Sequence, residues 1–194
     1  MLTLAFDTTA DCCAVALLKD NLVVEKFSEE MDFGQAEVLI PQIQAMLQKQ
    51  NLTFSELNLL AVCVGPGSFT GVRSSIAAAR AFGLACPELK ITGVSAFEAY
   101  VHSLDMSELS DYNAEALPYE EIINRLKGKT VTLIGNGVER FLDKPSGLVL
   151  HAIRMDKTAS ISDLAACALQ KFQHKKLNYP KPLYLRAPDV CVKS

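Results

Sequence analysis

The sequence predicts a mixed α/β fold, and three observations support this. Three apolar runs with the composition of strands open the chain, at residues 2–6, 12–18 and 22–27. Helix-like and strand-like runs then alternate along the rest of the chain. A glycine-rich segment at residues 65–73 joins a strand-like run to an alanine-rich, helix-like run. We therefore expect a mixed sheet with helices packed against it.

The first half of the chain has the clearest elements. Residues 19–21 predict a hairpin turn, and residues 35–50 predict a helix that Pro41 either kinks or delays. A capping box at residues 53–56 predicts a short helix before a strand at residues 59–64. A helix at residues 72–85 and a strand at residues 91–94 follow, and a second capping box at residues 95–98 begins another helix.

The second half is less regular. Residues 104–117 lose their periodicity, so we divide the chain into domains at 1–103 and 104–194. Beyond this joint we expect several shorter elements. These are helices at 118–126 and 161–172 (the latter capped by Ser160), strands at 130–134, 148–151 and 183–186, and a turn at 136–137.

Composition excludes several classes of protein. The net charge of −3 and the absence of a basic stripe disfavour a chain that binds RNA alone. The six cysteines form no Cys-x-x-Cys pair, which indicates buried thiols in a reducing compartment. No apolar run approaches the roughly 18 residues of a membrane span, and no leader is recognisable. We therefore expect a cytoplasmic protein without membrane contact.

The glycine-rich segment is the strongest functional signal. Gly65, Gly67 and Gly71 permit close backbone approach, and Ser68 and Thr70 offer hydroxyl groups at the start of a helix. This pattern is typical of a loop that holds a phosphate or a partner's backbone. It lacks the lysine of a P-loop, which disfavours a Walker-type NTPase.

A second candidate segment, Asp7, Thr8 and Thr9, lies at the end of the first predicted strand. Asp7 could orient a phosphate or hold a metal through water, or it could simply form a turn with nearby amides. Arg73 lies in the first turn of the predicted helix, where the helix dipole disfavours a cation. It therefore points to an anion or a partner carboxylate, or it is a surface arginine without a role.

No catalytic group or metal site is recognisable. His102, His151 and His174 are far apart, so the sequence contains no helical pair of histidines that could bind zinc. Ser68 has no base nearby in the sequence that would activate it. We therefore predict no catalytic residue and no metal ligand.

Five short segments together resemble one known family, TsaB (also called YeaZ). They are Phe-Asp-Thr-Thr at 6–9, Ala-Glu-Val-Leu-Ile-Pro at 36–41, Gly-Pro-Gly-Ser-Phe-Thr-Gly-Val-Arg at 65–73, Gly-Val-Ser at 93–95 and Pro-Leu-Tyr-Leu-Arg at 182–186. The resemblance is close over residues 1–100 and weaker beyond. It implies the actin, Hsp70 and sugar-kinase (ribonuclease H-like) fold, with two lobes of mixed sheet flanked by helices.

The resemblance also implies a function exerted through partners. TsaB-like proteins are non-catalytic partners of TsaD in the N6-threonylcarbamoylation of adenosine 37 in ANN-decoding tRNAs. TsaE is the third member of the complex, and TsaC supplies the threonylcarbamoyl-adenylate. We also expect a homodimer through the apolar helices at 35–50 and 72–85 when TsaD is absent, because exposed apolar patches rarely stay unpaired. Contact with tRNA is expected only through the complex.

The family's interface uses its first long helix and the helix after the glycine loop. In this sequence the resemblance places that interface on residues 35–50 and 72–85. The expected interface residues are Ala36, Leu39, Ile40, Ile43, Met46, Leu47, Ser75 and Ala79. Asp7, Thr8, Thr9 and the segment from Gly65 to Arg73 would then be remnants of a phosphate site or structural elements near the interface.

Two features depart from the family pattern. Gln35 stands where the family usually has a histidine, and the strand hairpin that normally follows Ser95 is absent. The second lobe is therefore expected to be reduced, which weakens any cleft for ATP or ADP. Two alternatives of the same broad class stay open. They are an ATP-dependent small-molecule kinase or ATPase, with residues 135–137 as a weak second phosphate loop, and a metallopeptidase.

Overall fold

The computed structural model describes residues 1–104, 114–135, 137–143, 147–154 and 159–185. Five strands form its main sheet, in the order β3-β2-β1-β4-β5. They are β1 (Leu2–Asp7), β2 (Cys12–Lys19), β3 (Leu22–Glu30), β4 (Leu59–Cys63) and β5 (Lys90–Val94). The first three strands pair antiparallel, whereas β4 and β5 run parallel to β1. The predicted mixed sheet is confirmed.

Helices cover both faces of this sheet. α1 (Gln35–Lys49) and α2 (Phe69–Ala85) pack on one face, whereas α3 (Ala96–Ser103) and α6 (Ile161–Gln173) pack on the other. α1 begins at Gln35 although Pro41 lies inside it, so the alternative of a delayed start is wrong. α2 begins three residues earlier than predicted, because Ser68 caps it by accepting a hydrogen bond from the Gly71 N–H.

The alternation of side chains along each strand divides the core in two. Leu4 and Phe6 of β1 point towards α1 and α2, whereas Ala5 between them points towards α6. The predicted capping boxes at Thr53–Glu56 and Ser95–Glu98 are both present. The first stabilises the start of a short 3-10 helix, Phe54–Glu56, that precedes β4, and the second stabilises the start of α3.

An ion pair joins the last described helix to the first part of the chain. Lys171 of α6 bonds Glu98 of α3 and also donates to the Gly93 carbonyl. Burial raises the pKa of Glu98, but the hydrogen bonds from Lys171 and Ser95 outweigh it and hold this pKa below its ordinary value. α6 therefore belongs to the packing of the main sheet, although it follows residue 104. The division of the chain at that residue stays a prediction.

The remaining described elements are short. They are α4 (Tyr119–Leu126), β6 (Thr130–Gly135), α5 (Val138–Leu142) and β7 (Val149–Arg154), with β6 and β7 pairing in parallel. Within the described residues, this second sheet has two strands. No helix among those residues is long and apolar enough to cross a membrane.

The predicted strand at residues 183–186 is wrong for residues 183–185. This segment is irregular there, and the Leu183 N–H donates one hydrogen bond to the Val64 carbonyl (2.8 Å) instead of joining a ladder. Arg186 lies outside the described residues. Asn136 also does, and with it part of the predicted turn and of the weak candidate for a second phosphate loop.

Candidate functional site

The two candidate segments meet at one edge of the main sheet. β1 and β4 are parallel neighbours, with Phe6 opposite Val62, so their carboxyl ends lie side by side. Asp7, Thr8 and Thr9 end the first strand, and the loop from Gly65 to Ser68 follows the second. The structure therefore brings together the two segments that the sequence identified separately.

At two positions of the loop, the chain's own backbone lies so close that only glycine fits. A Cβ atom at Gly67 would lie 2.1 Å from the Thr9 carbonyl oxygen, and one at Gly71 would lie 2.0 Å from the Thr8 carbonyl oxygen. Both distances are far below van der Waals contact, so no side chain fits at either position. The close approach that suggested a phosphate is therefore explained by the packing of this loop on the end of β1.

Hydrogen bonds fix the loop in this position. The Ser68 N–H donates to the Thr9 carbonyl (2.7 Å), and the Gly71 N–H donates to Ser68 Oγ (3.0 Å). Thr8 Oγ1 lies 2.9 Å from the Gly71 carbonyl oxygen, and Ser75 Oγ accepts the Thr8 N–H (3.2 Å). Two amides at the start of α2 are thus engaged within the chain, which leaves fewer donors for an anion.

Asp7 is buried, with 5% of its surface exposed. Its Oδ1 accepts the Thr9 N–H (2.7 Å), which is the turn-forming contact of the simpler alternative. Burial raises the pKa of Asp7 above its ordinary value, and it raises the pKa of the neighbouring Cys63 thiol as well. In the part of the chain that the structure describes, no group of three His, Cys, Asp or Glu residues could hold a metal ion.

The outer side of the same loop is exposed. Gly67, Ser68, Thr70 and Arg73 all face solvent. The Arg73 guanidinium lies over the Phe69 ring, with Cζ 4.9 Å from the ring centroid. Phe69 in turn stacks on Tyr184, with 5.5 Å between the centroids. Both aromatic residues stand in motifs that carry the family resemblance, but their contact was not predicted, because no local pattern links positions so far apart in the chain.

Most of the residues predicted for an interface are not on the surface. Ala36 and Ile40 are exposed. The other six are buried in the protomer's own core: Leu39, Ile43, Met46, Leu47, Ser75 and Ala79. This corrects their assignment to an interface. Helical spacing shows that one face of α1 is apolar, but it does not show whether the sheet of the same chain covers that face.

The opposite sides of the two helices face solvent. On α2 the exposed residues recur about every four positions and form one ridge: Phe69, Arg73, Ala77, Ala81 and Leu84. On α1 they include Ala36, Ile40, Gln44 and Gln48. We call these two sets the outer face. It is built mainly from small and apolar residues.

Known proteins resemble this chain over half or more of its length. The TsaB protein of Escherichia coli (strain K12), named for tRNA threonylcarbamoyladenosine biosynthesis, is 30% identical over 223 aligned positions, covering 96% of this chain and 95% of that protein. TsaB of Haemophilus influenzae is 33% identical over 107 residues, or 54% of this chain and 45% of that protein.

A family model and a solved structure agree with this relationship. The model described as TsaD, tRNA N6-adenosine threonylcarbamoyltransferase, matches residues 34–118. The structure of YeaZ from Pseudomonas aeruginosa covers 95% of this chain and 99% of its own, with a TM-score of 0.70 at 18% identity, which supports the ribonuclease H-like fold. The full-length similarity to TsaB, on the fold expected for it, shows that this chain is a member of the TsaB (YeaZ) family.

Proposed function

We propose that this chain acts in tRNA threonylcarbamoyladenosine biosynthesis as an accessory subunit that binds TsaD and does not carry the catalytic centre. Membership of the TsaB family is the observation that carries this proposal. The accessory role is supported by the candidate site, where Asp7 and the amides of Ser68 and Gly71 bond the chain itself. These groups hold the loop and the strand together.

The outer face is the surface that we assign to TsaD. Ala77 and Ala81 have short side chains on the exposed ridge of α2. A partner helix can therefore approach closely, because the distance between packed helices depends on the side chains between them. Leu84 at the far end of the ridge is 85% exposed, which is costly for a large aliphatic side chain in water. Contact with a partner would cover it.

The choice of partner rests on similarity between the two proteins. The TsaD family model matches residues 34–118, which include both helices of the outer face. Two chains with equivalent helices can pair through equivalent surfaces, as two copies do in a symmetric dimer. The same face would form a homodimer when TsaD is absent. TsaE and tRNA would join the complex, and the net charge of −3 is consistent with a chain that does not bind tRNA alone.

Association with the cognate TsaD tests this proposal. Ala77→Glu would place a charge in the middle of the ridge, and we expect the Kd for TsaD to rise at least tenfold, which corresponds to about 1.4 kcal/mol. Ala116→Glu introduces the same change at an exposed residue outside the outer face and should leave the Kd unchanged. The assignment of the interface is wrong if both variants bind TsaD like the wild type.

Enzymatic assays test the accessory role separately. The purified chain should show neither ATP hydrolysis nor phosphorylation of a small molecule, and modification of tRNA should require TsaD, TsaE and threonylcarbamoyl-adenylate. An ATPase turnover of the isolated chain in the ordinary enzymatic range of roughly 1 s⁻¹ or more would instead support the kinase or ATPase alternative.

A further inference from the structure

Arg73, Phe69 and Tyr184 form a contact cluster whose role is not explained by folding alone, and we call it the aromatic–arginine cluster. Because α2 begins at Phe69, Arg73 lies in the second turn of the helix, so the dipole effect expected for the predicted start at residue 72 does not apply to it. Within the described residues it forms no ion pair, and the contact found for it is the Phe69 ring. Phe69 and Tyr184 stay 41% and 44% exposed although they stack on each other.

The position of Tyr184 is fixed by the segment before it. The Asn178 carbonyl accepts the Gly93 N–H (2.7 Å), and the Asn178 N–H donates to Thr92 Oγ1 (3.2 Å). Arg80 donates to the Pro180 carbonyl (2.7 Å), and the Leu183 N–H donates to the Val64 carbonyl. Residues 178–183 are therefore bonded to β5, to α2 and to the end of β4. This carries Tyr184 to the start of α2 in a defined position.

The cluster continues the outer face. Phe69 and Arg73 precede Ala77 at intervals of four residues, so all three lie on the same ridge of α2. Tyrosine and arginine are among the residues that most often dominate the energy of protein interfaces. A cluster that is already assembled loses less conformational entropy on binding than free side chains do.

The chemistry of the cluster favours a carboxylate over a phosphate. A guanidinium presents a planar fork of N–H groups that pairs in bidentate fashion with a carboxylate or with a phosphate, so the groups around Arg73 decide between the two. A phosphate at the start of α2 would need backbone amides in addition, but those of Ser68 and Gly71 are engaged with Thr9 and with Ser68 Oγ. The acidic balance of the chain also disfavours a nucleic-acid surface.

We propose that the aromatic–arginine cluster anchors the protein partner: Arg73 binds a partner carboxylate, and the Phe69–Tyr184 stack packs against the apolar part of the same partner segment. This inference rests on the proposed function, because it assumes that the partner occupies the outer face. It adds the chemistry that the partner must present opposite Arg73, near the start of α2. It also assigns the segment at residues 178–184 a role in the interface.

Binding measurements with the cognate TsaD test this proposal. Arg73→Gln removes the charge and keeps a polar side chain, and we expect the Kd to rise by 10- to 100-fold, with a weaker dependence on salt. Arg73→Lys keeps the charge without the fork and should fall between Arg73→Gln and the wild type. Arg140→Gln, at an exposed arginine of α5, should bind like the wild type.

Two further variants test the aromatic stack. Tyr184→Phe preserves the stacked ring, so the Kd should stay within about twofold of the wild type, whereas Tyr184→Ala should raise it about tenfold. Thermal unfolding of Tyr184→Ala should lie within about 4 °C of the wild type, because the variant loses the half-exposed stack on Phe69, worth about 1 kcal/mol, but keeps the hydrogen bonds of residues 178–183. A large fall in Tm would assign the stack a structural role instead and overturn its part in the proposal.

The outcomes separate this inference from the proposed function. If Ala77→Glu abolishes association while Arg73→Gln and Tyr184→Ala bind normally, the anchor is wrong and the interface stands. If the wild type does not bind TsaD at all, the proposed function itself fails. If the isolated wild type binds a tRNA transcript or inorganic phosphate and Arg73→Gln abolishes that binding, the cluster recognises a phosphate, and the carboxylate assignment is overturned.

Discussion

The two sides of α2 use small residues for opposite purposes. On the inner side, Gly71, Ser75 and Ala79 are small because the end of β1 and the sheet lie directly against them. On the outer side, Ala77 and Ala81 are small where no described part of the chain covers them. A single helix thus combines a tightly packed inner side with an open outer side. Small residues alone do not tell which side is an interface.

The largest effect in this comparison is expected from Gly71→Ala. The added methyl group would lie 2.0 Å from the Thr8 carbonyl oxygen, and neither backbone segment can move without breaking the hydrogen bonds between them. We expect the free energy of unfolding to fall by at least about 4 kcal/mol, or folding to fail. Urea unfolding monitored by circular dichroism measures this change.

Gly137→Ala provides the matched control. Gly137 has an ordinary negative φ (−86°), and a Cβ atom there would meet nothing within 4 Å. Its substitution should change the unfolding free energy by less than about 0.5 kcal/mol. If Gly71→Ala were as stable as this control, the loop would not be locked on β1, and the phosphate interpretation of the glycines would regain its support.

Two adjacent residues of α1 give the next largest effect. Leu39 is 1% exposed and packs in the core, whereas Ile40 is 36% exposed on the outer face. Leu39→Ala should cost about 3 kcal/mol of stability, since it leaves a cavity, and Ile40→Ala should cost less than about 1 kcal/mol. Binding to TsaD should respond in the opposite order, with Ile40→Ala the more damaging to the Kd. Equal losses of stability would show that the two faces of α1 were assigned wrongly.

Local patterns in the sequence predicted the parts of this fold that depend on local chemistry. The strands β1 to β5, both capping boxes and the cap at Ser160 were all predicted, because periodicity and hydroxyl caps act over a few residues. The start of α2 was missed by three residues, since the glycine at position 71 disfavours a helix locally. The Ser68 cap, which accepts a hydrogen bond from the Gly71 N–H, overrides that preference.

The parts that depend on distant contacts were not predictable in this way. Residues 183–185 have the composition of a strand, but among the described residues the backbone contact found there is the hydrogen bond from the Leu183 N–H to the Val64 carbonyl. Helical spacing identified Leu39 and Ile43 as apolar without revealing that the sheet of the same chain covers them. The stack of Phe69 on Tyr184 joins two residues that are far apart in the chain. In each case the decisive partner lies far away in the sequence.

The smallest effect is expected from Asp7→Asn, which distinguishes a structural remnant from a working carboxylate. Burial raises the pKa of Asp7 above its ordinary value of 3.8, so its ionised form costs stability that its neutral form does not. The stability that the neutral carboxyl retains is fully present below pH 3.8 and is lost as the pH rises through the raised pKa of the folded state.

Asparagine does not ionise and can still accept the Thr9 N–H. The variant should therefore gain on the order of 1 kcal/mol over the wild type at pH 7, and this advantage should shrink as the pH falls towards 4. Urea unfolding between pH 4 and pH 7 measures the trend, and tRNA modification by the complex should be unchanged. A variant that is more stable but inactive would show that the carboxylate acts in the reaction. The contact between the loop and the end of β1 would then have a role beyond stabilising the fold.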